Sequence, residues 1–327
     1  MKNCLVIGAG GIGLRHIKIL KFLNYKIFLY ELNNVISVKL KKVNYIDVIL
    51  NNLNNINSFN FEFSVICSPS QTHLEYCKIL IKHNIPFLCE KPFSNTLVGL
   101  DKFNLVLKKS KVKSCVGYPR RSSKGVIRIK DILDSRKFGN LRIIKSNFSQ
   151  DFRKYRPDYK NTYYSKINSG GGAIFDALTH HIDLLIFFAG KIKSVSSISK
   201  NLVFSGVEGE DFSLNHFIFE NGVIGDVHCN QFQKPNYDKI EFICSKANIS
   251  FDRISNVIKI KKDDSGNFEE IQFDDDWDEI FKMQTINFIE NNINFQTSVD
   301  EAIHNVQVCQ AIRESSKLNK SISINEN

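Results

Sequence analysis

An α/β chain is predicted: an N-terminal doubly wound parallel sheet with a C-terminal α+β domain built on a largely antiparallel open sheet. Three observations predict it. Short apolar strands alternate with helical periodicity up to residue 119; a glycine run joins the first strand to the first helix; and hairpin signals dominate after residue 140. The 327 residues, 43% of them hydrophobic, suffice for two cores. The expected division is 1–119 and 120–327, the second part serving substrate binding and oligomerisation.

In the first part, strands are expected near 4–8, 26–31, 61–68, 86–90 and 114–118, with helices near 12–23, 71–83 and 95–110. The asparagine-rich stretch 51–60 reads as a loop. A linking helix near 122–136 precedes a strand over Leu141 to Phe152. Asp211 to Glu220 and Val223 to Phe232, separated by Asn221-Gly222, read as a hairpin with a tight turn. Ile240 to Cys244, Val257 to Lys261 and Phe268 to Phe273 add strands, the last two joined across Asp264-Ser265-Gly266-Asn267. Helices near 278–293 and 298–318 close the chain, and no internal repeat is visible.

The first strand, Cys4-Leu5-Val6-Ile7, runs into Gly8-Ala9-Gly10-Gly11-Ile12-Gly13 and a helix. Gly8 permits the tight turn, Gly10 lets a pyrophosphate reach the backbone, and Gly13 lets helix and strand pack closely. The helix N-terminus, with Gly11 and Ile12, supplies free N–H groups and partial positive charge. The second strand ends in Glu31, the acid expected about 20 residues on, which would bind the adenosine ribose hydroxyls. This is a Rossmann dinucleotide fingerprint. Glu31 repels a 2′-phosphate, so NAD is expected; Lys39, Lys41 and Lys42 leave NADP possible.

Two further motifs carry chemistry. Glu90-Lys91-Pro92 closes a short apolar strand, placing the Lys91 ammonium at the carboxyl edge of a parallel sheet, where it can stabilise a developing alkoxide. Gly170-Gly171-Gly172 precedes a periodic apolar stretch, Ile174 to Phe188, that reads as a helix ending at Ala189-Gly190. Asp176 and His180 then share one helix face, where an imidazole can exchange a hydroxyl proton near neutrality. An isolated Asp and His at this spacing more often merely satisfy each other within a fold; the other two motifs reverse that in favour of the catalytic reading.

Together these residues resemble the family of glucose-fructose oxidoreductase, inositol dehydrogenase and rhizopine-catabolism (Gfo/Idh/MocA) oxidoreductases, over nearly the whole chain. The resemblance takes in the fingerprint, Ser68-Pro69 through His73, Glu90-Lys91-Pro92, Gly117-Tyr118-Pro119-Arg120-Arg121 and Gly170 to Asp183. It implies that Lys91, Asp176 and His180 are catalytic and contact substrate, and that Ser68, Pro69, His73, Glu90 and Lys91 line the cofactor. For His73, a capping or core role stands as an equal alternative. Pro119 departs from the pattern of many relatives and bears on the local wall of the site. Tyr155-Arg156-Pro157-Asp158-Tyr159 and Tyr163-Tyr164-Ser165 look like the branch found in bacterial surface-glycan pathways.

The expected activity is hydride transfer between a nicotinamide and a secondary alcohol or ketone of a sugar, cyclitol or nucleotide sugar. The alternatives are a glycosidase with tightly bound NAD and no net redox change, and a regulatory dinucleotide sensor without turnover. Tyr118, Arg120, Arg153, Tyr155 and Tyr163 are candidates for the substrate wall, with an ion pair as the other role open to Arg120 and Arg121. His181, pointing about 100° away from His180, reads as packing. Asp183 either orients His180 or ties down a neighbouring loop, and Asp274 to Asp276 read as a solvated turn and not a metal site.

Net charge is +10, with 17 Lys and Arg against 6 Asp and Glu in residues 1–120 and 27 against 28 in the rest. That excess reads as a solvated lysine-rich surface; nucleic-acid binding needs a basic stripe within a known motif, and none stands out. The eight cysteines form no C-x-x-C or metal-type spacing, so a reducing cytoplasm is expected. Lys2 and the apolar run after it are interrupted by glycines, Arg15 and His16, so no secretory leader is expected, and no run reads as long and apolar enough to span a bilayer. The broad face of an open sheet needs covering, so a homodimer or homotetramer is expected.

Overall fold

The computed structural model describes residues 1–262 and 267–324, and the chain falls into two compact units. The first comprises Met1–Pro119 and Phe281–Ile303, the second Arg120–Ile280 and His304–Asn327. The stretch 281–303, grouped by sequence with the second part, packs with the first because Phe288 enters its core and meets Phe63 edge-on at 5.5 Å.

The first unit runs β1 (Asn3–Ile7), α1 (Gly11–Phe22), β2 (Lys26–Tyr30), α2 (Asn34–Lys42), β3 (Val48–Leu50), β4 (Phe61–Ile66), α3 (His73–Lys82), β5 (Phe87–Glu90), α4 (Leu100–Ser110) and β6 (Ser114–Gly117). All six strands are parallel, in the order β3-β2-β1-β4-β5-β6. The order reverses between β1 and β4, and it is at such a switch point that doubly wound sheets bind ligands. Val6, Leu29, Val65 and Leu88 are among the sheet residues in the core, which also takes in Ile17 and Leu20 of α1. Sequence reading missed α2 and β3. α2 is short and lysine-rich, held at its start by the Asn33 side chain accepting from Val35 and Ile36 N–H groups. Residues 51–60 are irregular apart from one 3-10 turn, Ile56–Phe59.

The second unit runs α5 (Lys124–Asp134), β7 (Leu141–Asp151), a π-helical turn (Ile174–Leu178) continuing into α6 (Thr179–Ala189), then β8 (Ile192–Lys200), β9 (Phe212–Phe219), β10 (Ile224–Asn230), β11 (Phe232–Cys244), β12 (Asn248–Asp252), β13 (Val257–Lys261) and β14 (Glu269–Gln272). In chain order α7 (Trp277–Ile289), most of which belongs to the first unit, comes next, followed by α8 (Val299–Leu318) and β15 (Ile322–Ser323). The nine strands lie in the order β14-β13-β12-β11-β7-β10-β9-β8-β15, antiparallel except for β7 and β10. The predicted hairpin is β9–β10, closed where Gly222 takes φ +83°. The turn placed at 264–267 lies, except for Asn267, outside the described residues. Strands β8, β12 and β15 were not foreseen, and β11 begins earlier than expected.

One expectation is corrected. Residues 167–189 are long and apolar enough to cross a membrane, but 89% of the apolar window is buried inside the protein, as suits a core helix. All eight cysteines are buried free thiols.

Candidate active site

The glycine turn is shaped by close packing at two of its positions. Gly8, at φ +91°, lies so near the end of β4 that a Cβ would stand 2.8 Å from the Cys67 carbonyl carbon; at Gly13 it would stand 2.2 Å from the Gly8 oxygen. Over Gly10 and Gly11 the opposite holds, with no heavy atom within 4 Å of a Cβ position. The first turn of α1 carries no acidic residue, and no side chain caps it. Open space beside uncapped N–H groups at a helix N-terminus fits a pyrophosphate. Glu31 accepts from the N–H groups of Ala9 at 2.7 Å and Asn33 at 2.8 Å, which holds its carboxylate beside the turn.

Ser68 and Pro69 follow β4 at the same sheet edge, both accessible. His73 does not face outward: it is buried, with Nε2 2.8 Å from the Ser68 carbonyl and Nδ1 3.0 Å from that of Pro92. It ties together the turns after β4 and β5. Burial pulls its pKa below the usual value against the opposing effect of those carbonyls. Glu90 is also buried: Oε1 lies 2.9 Å from His16 Nε2, and Oε2 accepts from the Lys91 N–H at 3.2 Å. Lys91 is the first accessible side chain after the buried strand β5.

In the second unit the triple glycine enters the π-helical turn. Ala173 N–H donates to the Glu210 carbonyl at 2.7 Å and Ile174 N–H to its carboxylate at 3.0 Å, so Glu210 caps the first N–H groups. Gly172, at φ +87°, is required there, because a Cβ would stand 2.6 Å from Glu210 Oε1. Arg313 of α8 grips the same carboxylate at 3.1 Å and the Gly171 carbonyl at 2.5 Å. Beyond this cap, residues 171–189 are buried at every position but two, Asp176 and His180. Asp176 accepts from the Tyr163 hydroxyl. The negative charge of Asp176, aided by burial, holds that phenol well above the ordinary tyrosine range.

The flanking residues serve two networks. Arg121 and Asp183, 2% and 1% exposed, form a bidentate ion pair with Nη2–Oδ1 at 2.8 Å and Nε–Oδ2 at 3.0 Å. Asp183 thus ties down the segment after β6. His181 is fully buried, its Nε2 facing Arg120 Nη1 at 2.7 Å and its Nδ1 facing Ser146 Oγ at 2.7 Å. Arginine can only donate, so Nε2 accepts and Nδ1 carries the proton. Burial above all pushes His181 down to about 3, against the opposing charge of Asp238 and with the Arg120 and Arg253 charges acting in the same direction as burial. Arg120, buried, also faces Asp238 at 3.4 Å, which Arg253 binds at 3.0 Å.

Tyr118 is 2% exposed. Arg153 pairs with Asp151 at 2.8 and 3.1 Å, and its hydrogen bonds hold that carboxyl down to about 2. Tyr155 is exposed and accepts from Asn236 at 2.6 Å. The aspartates before α7 act as caps: Asp275 accepts from Ser123 Oγ and the Lys124 and Gly125 N–H groups, Asp276 from those of Asp278 and Glu279. Among the described residues no His, Cys, Asp and Glu cluster could hold a metal. Sequence reading did not single out His16, Glu210 or Arg313 as parts of the site; their partners lie 74, 36 and 142 residues away, and no local pattern announces such contacts.

Residues 2–118 match the oxidoreductase family with an NAD-binding Rossmann fold, and residues 126–250 match the GFO/IDH/MocA C-terminal domain. The chain belongs to the Gfo/Idh/MocA oxidoreductase family. Myo-inositol 2-dehydrogenase of Thermotoga maritima is 25% identical over 80% of this chain and 78% of its own length. A 1-carboxy-3-chloro-3,4-dihydroxycyclohexa-1,5-diene dehydrogenase of Comamonas testosteroni is 27% identical over 55% of this chain, a match that spans only 44% of that relative. Among solved structures, a levoglucosan dehydrogenase in complex with NADH and L-sorbose superposes with a TM-score of 0.88 at 16% identity, over 100% of this chain and 99% of that one. An Agrobacterium radiobacter oxidoreductase in complex with NAD+, L-tartaric acid and magnesium gives 0.84 at 15% identity, over 99% and 98%. The Gfo/Idh/MocA chain described here is thus an NAD-binding oxidoreductase of the sugar and cyclitol dehydrogenase family.

Proposed function

We propose that this protein is an NAD-dependent dehydrogenase or reductase acting on a secondary alcohol or ketone of a sugar, cyclitol or nucleotide sugar. The observation that carries the reading is the exposure of residues 171–189: an acid and an imidazole, four apart, are the accessible positions of an otherwise buried segment. Burying apolar side chains needs neither group at the surface, and the π turn beneath Asp176 is of a kind frequent at functional sites. Residues 1–119 serve the cofactor and 120–327 the substrate and oligomer.

The turn at Gly8, Gly10, Gly11, Ile12 and Gly13 holds the pyrophosphate, Glu31 the ribose, and Ser68, Pro69 and Lys91 the nicotinamide side, with His73 and Glu90 fixing the turns from which these depart. When bound, the nicotinamide supplies the acceptor or donor of hydride. In the oxidation direction His180 takes the hydroxyl proton, while Asp176, anchored by Tyr163, holds the imidazole tautomer. The Lys91 ammonium donates to the same oxygen and stabilises its alkoxide character. Arg153, Tyr155 and Tyr163 contact the sugar; Tyr118 and Arg120, both buried, are the remaining candidates for its wall.

The loop from Tyr155 to Ser165 is the feature that favours a surface-glycan sugar. Ile198, Ile218 and Ile224, exposed on one face of β8–β10, favour a homodimer or homotetramer that covers this face. The buried thiols suit a reducing cytoplasm. The test is a panel of sugars, cyclitols and nucleotide sugars with NAD and NADP, read by nicotinamide absorbance. Turnover with one class is expected, cut by orders of magnitude in Lys91→Ala and His180→Ala with little change in NADH affinity. Unchanged turnover in both variants removes the mechanism.

A further inference from the structure

We propose that His16 is a positioning residue for Lys91, acting through Glu90. The inference rests on the assignment of Lys91 to the reacting oxygen. His16 is completely buried on α1, the helix whose N-terminus offers the open phosphate cradle. Its Nε2 lies 2.9 Å from Glu90 Oε1, and its ring meets Phe281 edge-on at 5.9 Å. Glu90, 5% exposed at the end of β5, is held on two more sides. Oε2 accepts from the Lys91 N–H at 3.2 Å, and a Cβ on Gly117 of β6 would stand 2.8 Å from Oε1, so only glycine leaves the carboxylate room.

One carboxylate therefore ties the peptide from which the Lys91 side chain departs to the body of α1. A buried carboxylate that loses a partner turns toward whatever donor remains, because leaving it uncompensated is costly. For Glu90 that donor is the Lys91 N–H, and a turn of the carboxylate moves the Lys91 peptide with it. The cradle for the cofactor phosphates and the base of the proposed catalytic lysine thus share one rigid element, the kind of support that keeps a reacting group in place. A pair that only held the fold together would change the melting temperature and leave Lys91 as it was.

The test uses the apo protein and trace acetic anhydride, with acetylation of each lysine followed by peptide mass spectrometry, beside NADH titration and melting curves. The variants are His16→Leu, His16→Gln and Gly117→Ala. Glutamine returns an N–H donor to Glu90, and Gly117→Ala displaces the carboxylate from the opposite side without altering His16 or Lys91. The Lys91 rate is expected to change about threefold or more in His16→Leu and Gly117→Ala and to return toward wild type in His16→Gln, other lysines holding steady. An unchanged Lys91 rate in folded His16→Leu, or in folded Gly117→Ala should the first not fold, overturns the proposal. So does a His16→Gln rate as altered as that of His16→Leu. Acetylation needs neither substrate nor turnover, so failure here is distinct from a sugar panel that finds no activity.

Discussion

Two glycines three positions apart in the same turn, Gly10 and Gly13, should fail in opposite ways when given a methyl group. At Gly13 the new Cβ would stand 2.2 Å from the Gly8 carbonyl oxygen, where ordinary contact begins at 3.4 Å. α1 must back away from β1 by roughly 1 Å, and since the obstacle is backbone the cost belongs at the upper end of overpacking, about 3 kcal/mol. At about 2–4 °C per kcal/mol, Gly13→Ala should melt roughly 6–12 °C lower. Gly10 has open space over it and an ordinary extended backbone, φ −64° and ψ −167°, so Gly10→Ala should melt like wild type. Its methyl instead enters the phosphate cradle. Losing one hydrogen bond to a charged group, about 1.5–3 kcal/mol, weakens NADH by about 10- to 100-fold. Differential scanning fluorimetry and NADH fluorescence titration read the two effects. Wild-type NADH affinity in Gly10→Ala would remove the pyrophosphate from this turn, and a wild-type melting temperature in Gly13→Ala would refute the packing argument.

Further outcomes are expected. Arg121→Met leaves Asp183 buried without its bidentate partner and should cost about 3–5 kcal/mol by urea unfolding, whereas Arg121→Met with Asp183→Leu should recover much of that loss. His181 is held at about 3 against an ordinary 6.5, so the unfolded chain binds the proton more readily; stability is full above pH 6.5 and falls as pH drops toward 3. Between pH 6.5 and about 5 this amounts to about 2 kcal/mol, which His181→Gln should remove from the pH profile of unfolding. Glu31→Ser should narrow the preference for NADH over NADPH by about tenfold or more, measured by paired titrations. Asp176→Asn should return the Tyr163 phenol toward the ordinary tyrosine range, seen as a lower alkaline transition in a difference ultraviolet titration against Asp176→Asn/Tyr163→Phe.

What was legible in the chain followed from local rules. The strands of the first sheet are apolar runs buried on both faces, and the Asn221-Gly222 hairpin and the glycine turn each satisfy a backbone demand that one residue type meets best. β3 escaped because three residues carry no periodicity, and β8 because its serines and lysines face solvent beside few apolar positions. Asp176 and His180 were readable as a pair from their spacing, but the entry to the π turn was not, since Glu210 caps its first N–H groups and Arg313 holds Glu210 and the Gly171 carbonyl from distant elements. Arg120 and Arg121 look alike in the sequence; one meets His181 and Asp238, the other Asp183.

By itself the sequence determined the periodicities, the turn chemistry and the residue types able to carry a dinucleotide and a proton. Tertiary structure alone decided which polar groups are buried with partners inside the protein, as His16, His73, Glu90, His181 and Asp183 are, and which stay accessible, as Asp176 and His180 do. The reason is physical: burial makes an unsatisfied polar group expensive, so its role is set by whichever partner the fold brings within 3 Å or so, and that partner is commonly far away in the chain.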